Sequence, residues 1–271
     1  MKTFIAFFLL VVACRAYDVP DPMTIAQKNW TFIPRYPWSP TVQIGINYHS
    51  PNYEYIYCCQ RYSNWGRYIT ISPLSKVIYR PIELRQKPLI YLNWQMPSSL
   101  NVAKNYTLVM VDPDTPRAGA RDFPRIHWIV ANLNMRVNWK NDTLASYSGP
   151  LPPDQKPHHY VFLLYEQNLG RVVNATAMNE SIPASRSLFN VQDFTSRFSL
   201  TLKGISWFQA LNDEYVNYTK IMRNPASEPM YCAGKYMWSQ HGCMVHAGTD
   251  KISMSLTFLI ICFVALVKLF N

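Results

Sequence analysis

The chain has 271 residues, of which 49% are hydrophobic and 15% are charged. This length supports one full-sized hydrophobic core and does not require a second. The formal net charge of +10 comes from 26 basic and 16 acidic residues, yet no block of Lys and Arg is dense enough to follow a nucleic-acid backbone. We therefore expect one main domain and no nucleic-acid partner. The basic surface either favours anionic headgroups or is offset by sialylated glycans.

The start of the chain has the features of a secretory signal peptide. Lys2 precedes an apolar run, and the small residues Cys14 and Ala16 stand at the spacing that a signal peptidase accepts. We predict that residues 1–16 are removed and that Tyr17 begins the mature chain. This leader directs the protein to the secretory pathway, and so to the extracellular space or the outer face of the plasma membrane.

The other end of the chain, residues 252–271, is apolar over about the length that crosses a hydrocarbon core. The small residues at 247–249 match the attachment site of a glycolipid (GPI) anchor, although the polar spacer after them is short. Two alternatives stay open. One is a single membrane-spanning segment with Lys268 near the inner boundary, and the other is a buried C-terminal helix.

Six sequons for N-glycosylation support the same compartment. Each has the form Asn-X-Ser/Thr with X other than Pro, and their number is more than twice the chance expectation for this composition. Glycans at these positions would cover several surface loops. The candidate glycosylation sites are Asn29, Asn105, Asn141, Asn174, Asn179 and Asn217.

Four cysteines outside the leader and the apolar tail provide an even number for disulfide bonds. Adjacent cysteines rarely bridge each other, because their Cα atoms are only about 3.8 Å apart. We therefore predict that Cys58 and Cys59 each pair with Cys232 or Cys243. The alternative is a local Cys232–Cys243 bond that leaves two free thiols. The ligand spacing of structural zinc sites is absent.

Short segments rich in Val, Ile, Tyr and Trp, separated by Pro, Gly, Asn and Asp, predict a mainly β domain over residues 17–224. Residues 225–251 have neither the helical nor the strand period and are interpreted as a cysteine-containing stalk. Asn190 is a candidate cap for one helix. The predicted strands are 41–48, 67–72, 88–94, 106–112, 127–133 and 159–167, and the predicted helices are 23–32, 191–200 and 211–222.

Ionisable side chains lie at the ends of two of these strands. Asp112 and Asp114 follow an apolar strand directly, in the sequence Asp-Pro-Asp. In the segment "HHYVFLLY", the period of two places His158 and Tyr160 on one face and His159 on the other. Each group alone has an ordinary explanation as a turn or core residue.

A third strand adds another histidine. The same period of two places His127 on the face of Ile129 and Ala131. If the three strands are neighbours, two imidazoles, one phenol and two carboxylates meet in one hollow. Imidazole N–H and phenol O–H groups are donors for the acceptor oxygens of a phosphate ester. This combination therefore predicts an anion-binding site.

The order of these motifs resembles the phosphatidylethanolamine-binding protein family, also called the Raf-kinase-inhibitor-like family. The resemblance is carried by "YTLVMVDPDTP", "RIHWIVANL" and "GPLPPDQKPHHYVFLLYEQ", with weaker matches over residues 24–222. It implies antiparallel sheets in a β-sandwich-like fold with a few peripheral helices, and a pocket for phosphoryl headgroups. The implied ligand-binding residues are Asp112, His127, Pro153, His158 and Tyr160, with Asp114 in support.

The chain departs from the family pattern at the pocket. His159 replaces the arginine of the family, the loop between Pro153 and His158 is shorter and lacks glycines, and Arg117 comes one place early. Headgroup preference is therefore open, and a secreted chain is not expected to regulate a cytosolic kinase. The family motif also implies a cis peptide bond before Pro116, and we expect a second before the proline at 124.

We expect a binding protein for phospholipid headgroups or small phosphorylated molecules, with no cofactor and no catalytic role. Asp112 would repel a dianion unless it holds a histidine in its protonated or correctly oriented form, or meets an ammonium group. A carboxylate in the pocket therefore favours a zwitterionic headgroup such as phosphoethanolamine. One alternative is a protease-inhibitor-type interaction module. Another is a phosphoester hydrolase with His127 or His158 as base, although no nucleophile motif is present. A metal site built from Asp112 and the two histidines is a further alternative.

Overall fold

The computed structural model describes residues 22–35, 38–72, 74, 76–92, 104–115, 123–134, 142–167 and 173–232. The predicted leader, the apolar tail, the predicted glycolipid attachment site, and Cys243, Asn141 and Pro116 all lie outside these residues. Within the described residues, no helix is long and apolar enough to cross a membrane.

The described residues form three sheets. The largest has six strands in the order β5-β11-β10-β7-β8-β9, all antiparallel except β5 beside β11. A three-stranded sheet has the order β4-β1-β6, and β2 pairs with β3 as a hairpin. The strands are β1 Ile44–Ser50, β2 Tyr53–Tyr57, β3 Gln60–Asn64, β4 Arg67–Ile71, β5 Ile78–Tyr79, β6 Leu89–Leu92, β7 Asn105–Asp112, β8 Arg125–Asn134, β9 Asp142–Ala145, β10 His158–Glu166 and β11 Thr201–Ala210.

One face of the six-stranded sheet packs against the three-stranded sheet. Phe162, Phe208 and Met110 of the large sheet meet Ile46 and Tyr48 of the small one, and all five side chains are buried. This arrangement confirms the predicted antiparallel, sandwich-like β fold. It also explains why the central strands are nearly continuous apolar runs, because both of their faces are covered.

The opposite face of the large sheet is covered by helices. These are α1 Pro22–Asn29, α2 Ala175–Glu180 and α3 Val191–Arg197, and they shield a core that includes Trp30 and Phe194. The helices predicted at 23–32 and 191–200 are confirmed, and the Asn190 side chain accepts a hydrogen bond from the Asp193 backbone N–H as the predicted cap. The short helix α2 was not predicted.

A third cluster joins the β2–β3 hairpin to α4 Glu214–Arg223 and α5 Glu228–Cys232. The hairpin turn consists of Cys58 and Cys59, with φ angles of 47° and 60°, as a two-residue turn of type I′ requires. Cys58 bonds to Cys232, so the predicted pairing is confirmed for that cysteine and the local Cys232–Cys243 alternative is wrong. Cys59 is disulfide-bonded as well.

The described sequons differ in accessibility. Asn29, Asn174 and Asn179 are exposed, and a glycan there needs no rearrangement of the fold. Asn105 is only 8% exposed, and its side-chain oxygen accepts a hydrogen bond from Asn134. Asn105 is therefore the described sequon at which a glycan would disturb the most structure.

Candidate functional site

His127 lies on a different face of β8 from the one that the alternation predicts. Met110 of β7 pairs with Trp128 and Val111 pairs with Ile126, so His127 is an extra residue between the two pairs. Such a β-bulge interrupts the period of two. The prediction that His127 shares a face with Ile129 and Ala131 is therefore wrong. The bulge turns the imidazole toward Tyr160, whose ring centroid is 4.9 Å from that of His127.

His158, at the start of β10, is buried between carboxylates. Its Nδ1 donates to Asp112 Oδ2 at 2.9 Å and its Nε2 donates to Asp154 Oδ1 at 3.3 Å. Burial lowers the pKa of His158, but the hydrogen bond to Asp112 and the charges of the surrounding carboxylates outweigh it. The pKa is therefore raised above its ordinary value of 6.5, and the geometry is that of an imidazolium with both N–H groups occupied.

His127 is buried without a carboxylate partner of its own. Its Nδ1 lies 2.8 Å from the Ser148 carbonyl oxygen. A carbonyl oxygen only accepts hydrogen bonds, so Nδ1 carries the proton. Burial lowers the pKa of His127 below 6.5, by more than the nearby Asp112 raises it. The neutral ring therefore keeps Nε2 as an acceptor.

Asp112 contacts the imidazole of His158, and Tyr160 contacts the imidazole of His127. Asp112 is 2% exposed, and its second oxygen accepts the Asp114 backbone N–H at 2.8 Å. Tyr160 is fully buried and stacks on Phe208 at 5.4 Å. Burial raises the pKa of the Tyr160 hydroxyl well above 10, so this phenol stays neutral.

A hollow of about 270 Å³ opens beside these residues. Three elements form its walls: the facing ends of β7 and β8, the loop before β10, and one side of α4. Of the predicted site residues, it contains Asp112, His127 and Pro153, whereas His158 and Tyr160 lie behind its wall. The lining residues are Asp112, Thr115, Arg125, His127, Ser148, Gly149, Leu151, Pro153, Val216, Thr219, Lys220 and Arg223.

Asp114 does not join this hollow. Its carboxylate accepts from the His159 backbone N–H at 2.8 Å and from His159 Nδ1 at 2.6 Å. Burial raises the pKa of Asp114, but these hydrogen bonds lower it to a net value below 3.8. The pair lines a smaller cavity with Trp30 and Trp207, which belong to the core under the helices. Asp112 and Asp114 thus hold consecutive histidines on opposite faces of β10.

The basic residues of the hollow were not predicted from the sequence. Arg125 stands two residues before His127 and was visible in the quoted motif, but nothing marked it as part of the wall. Lys220 and Arg223 lie far along the chain, on a helix whose position relative to the sheet was not predicted from the sequence. Within the described residues, no group of three His, Cys, Asp or Glu side chains is arranged to hold a metal ion.

Comparison with known proteins gives consistent matches. Residues 84–201 match the family model described as phosphatidylethanolamine-binding protein. The chain is 32% identical over 146 residues to the putative odorant-binding protein A5 of Drosophila melanogaster, covering 51% of this chain and 64% of that protein. It is 33% identical over 99 residues to a 26 kDa secreted antigen of Toxocara canis, covering 35% of this chain and 37% of that protein.

Among solved structures, the chain is similar to a carboxypeptidase Y inhibitor in complex with its cognate proteinase. The identity is 20%, the match covers 66% of this chain and 87% of that chain, and the TM-score is 0.46. The alignments to the two curated relatives span less than two thirds of the length of either one.

Proposed function

The chain belongs to the phosphatidylethanolamine-binding protein family, and from that premise we propose that it is an extracellular or cell-surface binding protein for phosphorylated small molecules or phospholipid headgroups. The observation that carries this proposal is the hollow that contains Asp112, His127 and Pro153. These are residues of the three motifs of the family, and three cationic side chains surround them. A concave hollow with a few convergent polar groups is the usual form of a small-ligand site.

We expect the affinity for such a ligand to depend on pH through the protonation of His127. In the free protein its Nε2 has a lone pair and no proton, so it does not donate to a phosphate oxygen. An anion beside Nε2 favours the protonated ring, because opposite charges stabilise each other. Binding therefore takes up a proton, and affinity falls as the pH rises through the imidazole range.

We predict that His127→Ala weakens the binding of inorganic phosphate by about 2 kcal/mol, the size of a hydrogen bond to a charged group. Calorimetric titration of the wild type and the variant with inorganic phosphate and with phosphoethanolamine measures this loss. The control is His49→Ala, an exposed histidine on β1 that does not line the hollow. Equal affinity in all three proteins, or no binding at millimolar ligand, would show that this corner is structural.

We also propose that the protein binds its ligand without turnover. The hollow holds His127 as a candidate base, but within the described residues its hydroxyl side chains, Thr115, Ser148 and Thr219, are not hydrogen-bonded to that imidazole. Steady release of product from a panel of phosphoesters, lost in His127→Ala, would contradict this proposal and favour the hydrolase.

The proposed extracellular location is supported by the Cys58–Cys232 bond, since disulfides persist mainly in oxidising compartments. The match to a secreted antigen points the same way. We propose further that the apolar tail serves as a glycolipid anchor. Release of the protein from intact cells by a phosphatidylinositol-specific phospholipase C is the expected result. Retention after complete digestion would favour a membrane-spanning tail instead.

A further inference from the structure

We infer that the hollow selects a dianionic phosphomonoester over phosphodiesters and over zwitterionic phosphoethanolamine, and that Lys220 and Arg223 of α4 provide this selectivity. The inference rests on the proposed function, because it names the ligand class of the same site. It replaces the expectation, drawn from the Asp112 carboxylate, that the ligand carries an ammonium group.

The Asp112 carboxylate is already matched by a positive charge. One of its oxygens accepts from the His158 imidazolium and the other from the Asp114 backbone N–H. An incoming ammonium group would therefore meet a buried carboxylate that is already hydrogen-bonded to an imidazolium, which His158 shares with Asp154. The Asp112 carboxylate, which suggested a zwitterionic ligand, is thus already paired with His158 within the protein.

Helix α4 presents one continuous stripe of side chains to the hollow. Val216, Thr219, Lys220 and Arg223 are spaced at i, i+3, i+4 and i+7, which places them on one helical face, and all four line the hollow. Cations in the last turn of a helix also stabilise its dipole, but this effect is similar on every side of the helix. The dipole therefore does not explain why both cations lie on the face toward the hollow, whereas an anionic ligand in the hollow does.

The cations approach the hollow from two sides. Arg125 is held at the β8 side by Ser187 Oγ at 3.0 Å, whereas Lys220 reaches from α4 to the Pro153 carbonyl oxygen at 3.2 Å. Arg125, Lys220 and Arg223 give the lining three positive charges. Asp112 is the only acidic side chain among the described lining residues, and its carboxylate is hydrogen-bonded to the His158 imidazolium. The net positive lining suits a group with more than one negative charge.

The charge of the ligand distinguishes the candidates. A phosphomonoester carries about −1.5 to −2 charge at neutral pH, because its second pKa is near 6. A phosphodiester carries a single negative charge, and phosphoethanolamine adds an ammonium that the three cations repel. Fixed charges near a protein surface interact by about 1 kcal/mol or more at contact distances, so these differences are measurable as affinity ratios.

The test compares ethyl phosphate, diethyl phosphate and phosphoethanolamine by calorimetric titration of the full-length protein near neutral pH. We expect ethyl phosphate to bind about tenfold more tightly than diethyl phosphate, with phosphoethanolamine between them. Lys220→Gln and Arg223→Gln should each weaken ethyl phosphate binding about fivefold and change diethyl phosphate binding by about twofold at most. Lys220→Arg, which keeps the charge, should retain most of the selectivity.

Lys28→Gln is the matched control, because Lys28 is an exposed cation on α1 and does not line the hollow. This variant should bind all three compounds as the wild type does. Equal affinity for ethyl and diethyl phosphate, or tightest binding of phosphoethanolamine, would overturn the selectivity and leave the proposed function standing. Binding of none of the three compounds and no binding of inorganic phosphate would overturn both.

The phosphomonoester has two possible sources, and a vesicle assay separates them. Phosphatidylcholine vesicles that contain phosphatidic acid present a phosphomonoester on a lipid, and vesicles with phosphatidylglycerol present a phosphodiester of the same sign. Capture by the first and not by the second supports selection of a lipid monoester. Binding of ethyl phosphate without capture by either supports the same selection for a soluble ligand. Equal capture by both would contradict it.

Discussion

His127 and His158 are buried on the same face of the large sheet, 3% and 1% exposed, yet their ring nitrogens meet opposite surroundings. His158 lies between the carboxylates of Asp112 and Asp154. His127 donates to a carbonyl oxygen and has no carboxylate within hydrogen-bonding distance among the described residues. The pKa is raised in the first case and lowered in the second.

This difference assigns separate roles to two residues that the sequence treats alike. The His158 imidazolium is hydrogen-bonded to Asp112 and Asp154, whereas the neutral His127 lines the hollow and makes its hydrogen bond to Ser148 through Nδ1. The resemblance to the family implied that both imidazoles contact the phosphoryl group. Under the proposed function, the surroundings of each ring assign a structural ion pair to His158 and the ligand contact to His127.

Removing the carboxylate of the ion pair should have the largest effect. Asp112→Asn leaves the buried His158 without its counter-charge, and breaking one partner of a buried pair costs about 3 kcal/mol or more. Equilibrium unfolding in denaturant measures the loss. The control Asp154→Asn removes a carboxylate that is 41% exposed, and should cost under about 1 kcal/mol. Similar losses in the two variants would contradict the buried ion pair.

The second-largest effect concerns the stabilisation of the fold by His158, which we expect to depend on pH. Since its folded pKa is raised, its stabilisation is fully present below the unfolded value of about 6.5 and is lost as the pH rises through the folded pKa. The stability difference between the wild type and His158→Gln should therefore be about 2 kcal/mol at mildly acidic pH and shrink above pH 6.5. A difference that grows with pH would show that His158 folds as the neutral ring.

His127 should show the opposite trend with a smaller amplitude. Since its folded pKa is lowered, the wild type loses stability as the pH falls from about 6.5 through the folded pKa. In His127→Gln the amide can still donate to the Ser148 carbonyl and carries no titrating group. The advantage of the wild type over this variant, about 1 kcal/mol at pH 8, should thus diminish in acid. A difference that does not vary with pH would contradict the lowered pKa.

The smallest effect is expected on the opposite face of β10. His159 and Asp114 are in closer contact, at 2.6 Å against 2.9 Å for His158 and Asp112, but their side chains are 29% and 35% exposed. Solvent screens such a pair, so His159→Gln should cost under about 1 kcal/mol of unfolding free energy. Thermal or denaturant unfolding beside Asp112→Asn provides the comparison. A loss of unfolding free energy as large as that of Asp112→Asn would show that solvent exposure does not determine how much each pair stabilises the fold.

Much of the fold could be predicted from the sequence because its central strands are long apolar runs. The six predicted strands correspond to β1, β4, β6, β7, β8 and β10. The strand β11 was not recognised, since Lys203 and Gly204 interrupt its apolar pattern. The short helix α2 was also missed, because six residues carry too little periodicity to be recognised.

The site was predictable in its residues and not in its geometry. The period of two correctly placed His158 with Tyr160 and opposite His159, but it failed at His127, where a bulge adds one residue to β8. A bulge depends on the pairing of two strands, so one strand's sequence does not reveal it. The basic wall was missed for a similar reason. Its residues become neighbours of the hollow only when α4 packs beside the loop at Pro153.

The separate charge states of His127 and His158 can be observed directly by nitrogen NMR of the imidazole rings across a pH titration. We expect His158 to titrate above pH 6.5 with both nitrogens protonated below its pKa, and His127 to stay neutral at pH 6.5 with the proton on Nδ1. The variants His127→Gln and His158→Gln assign the two sets of signals. Two rings that titrate together near 6.5, or a reversed order of their pKa values, would contradict the account.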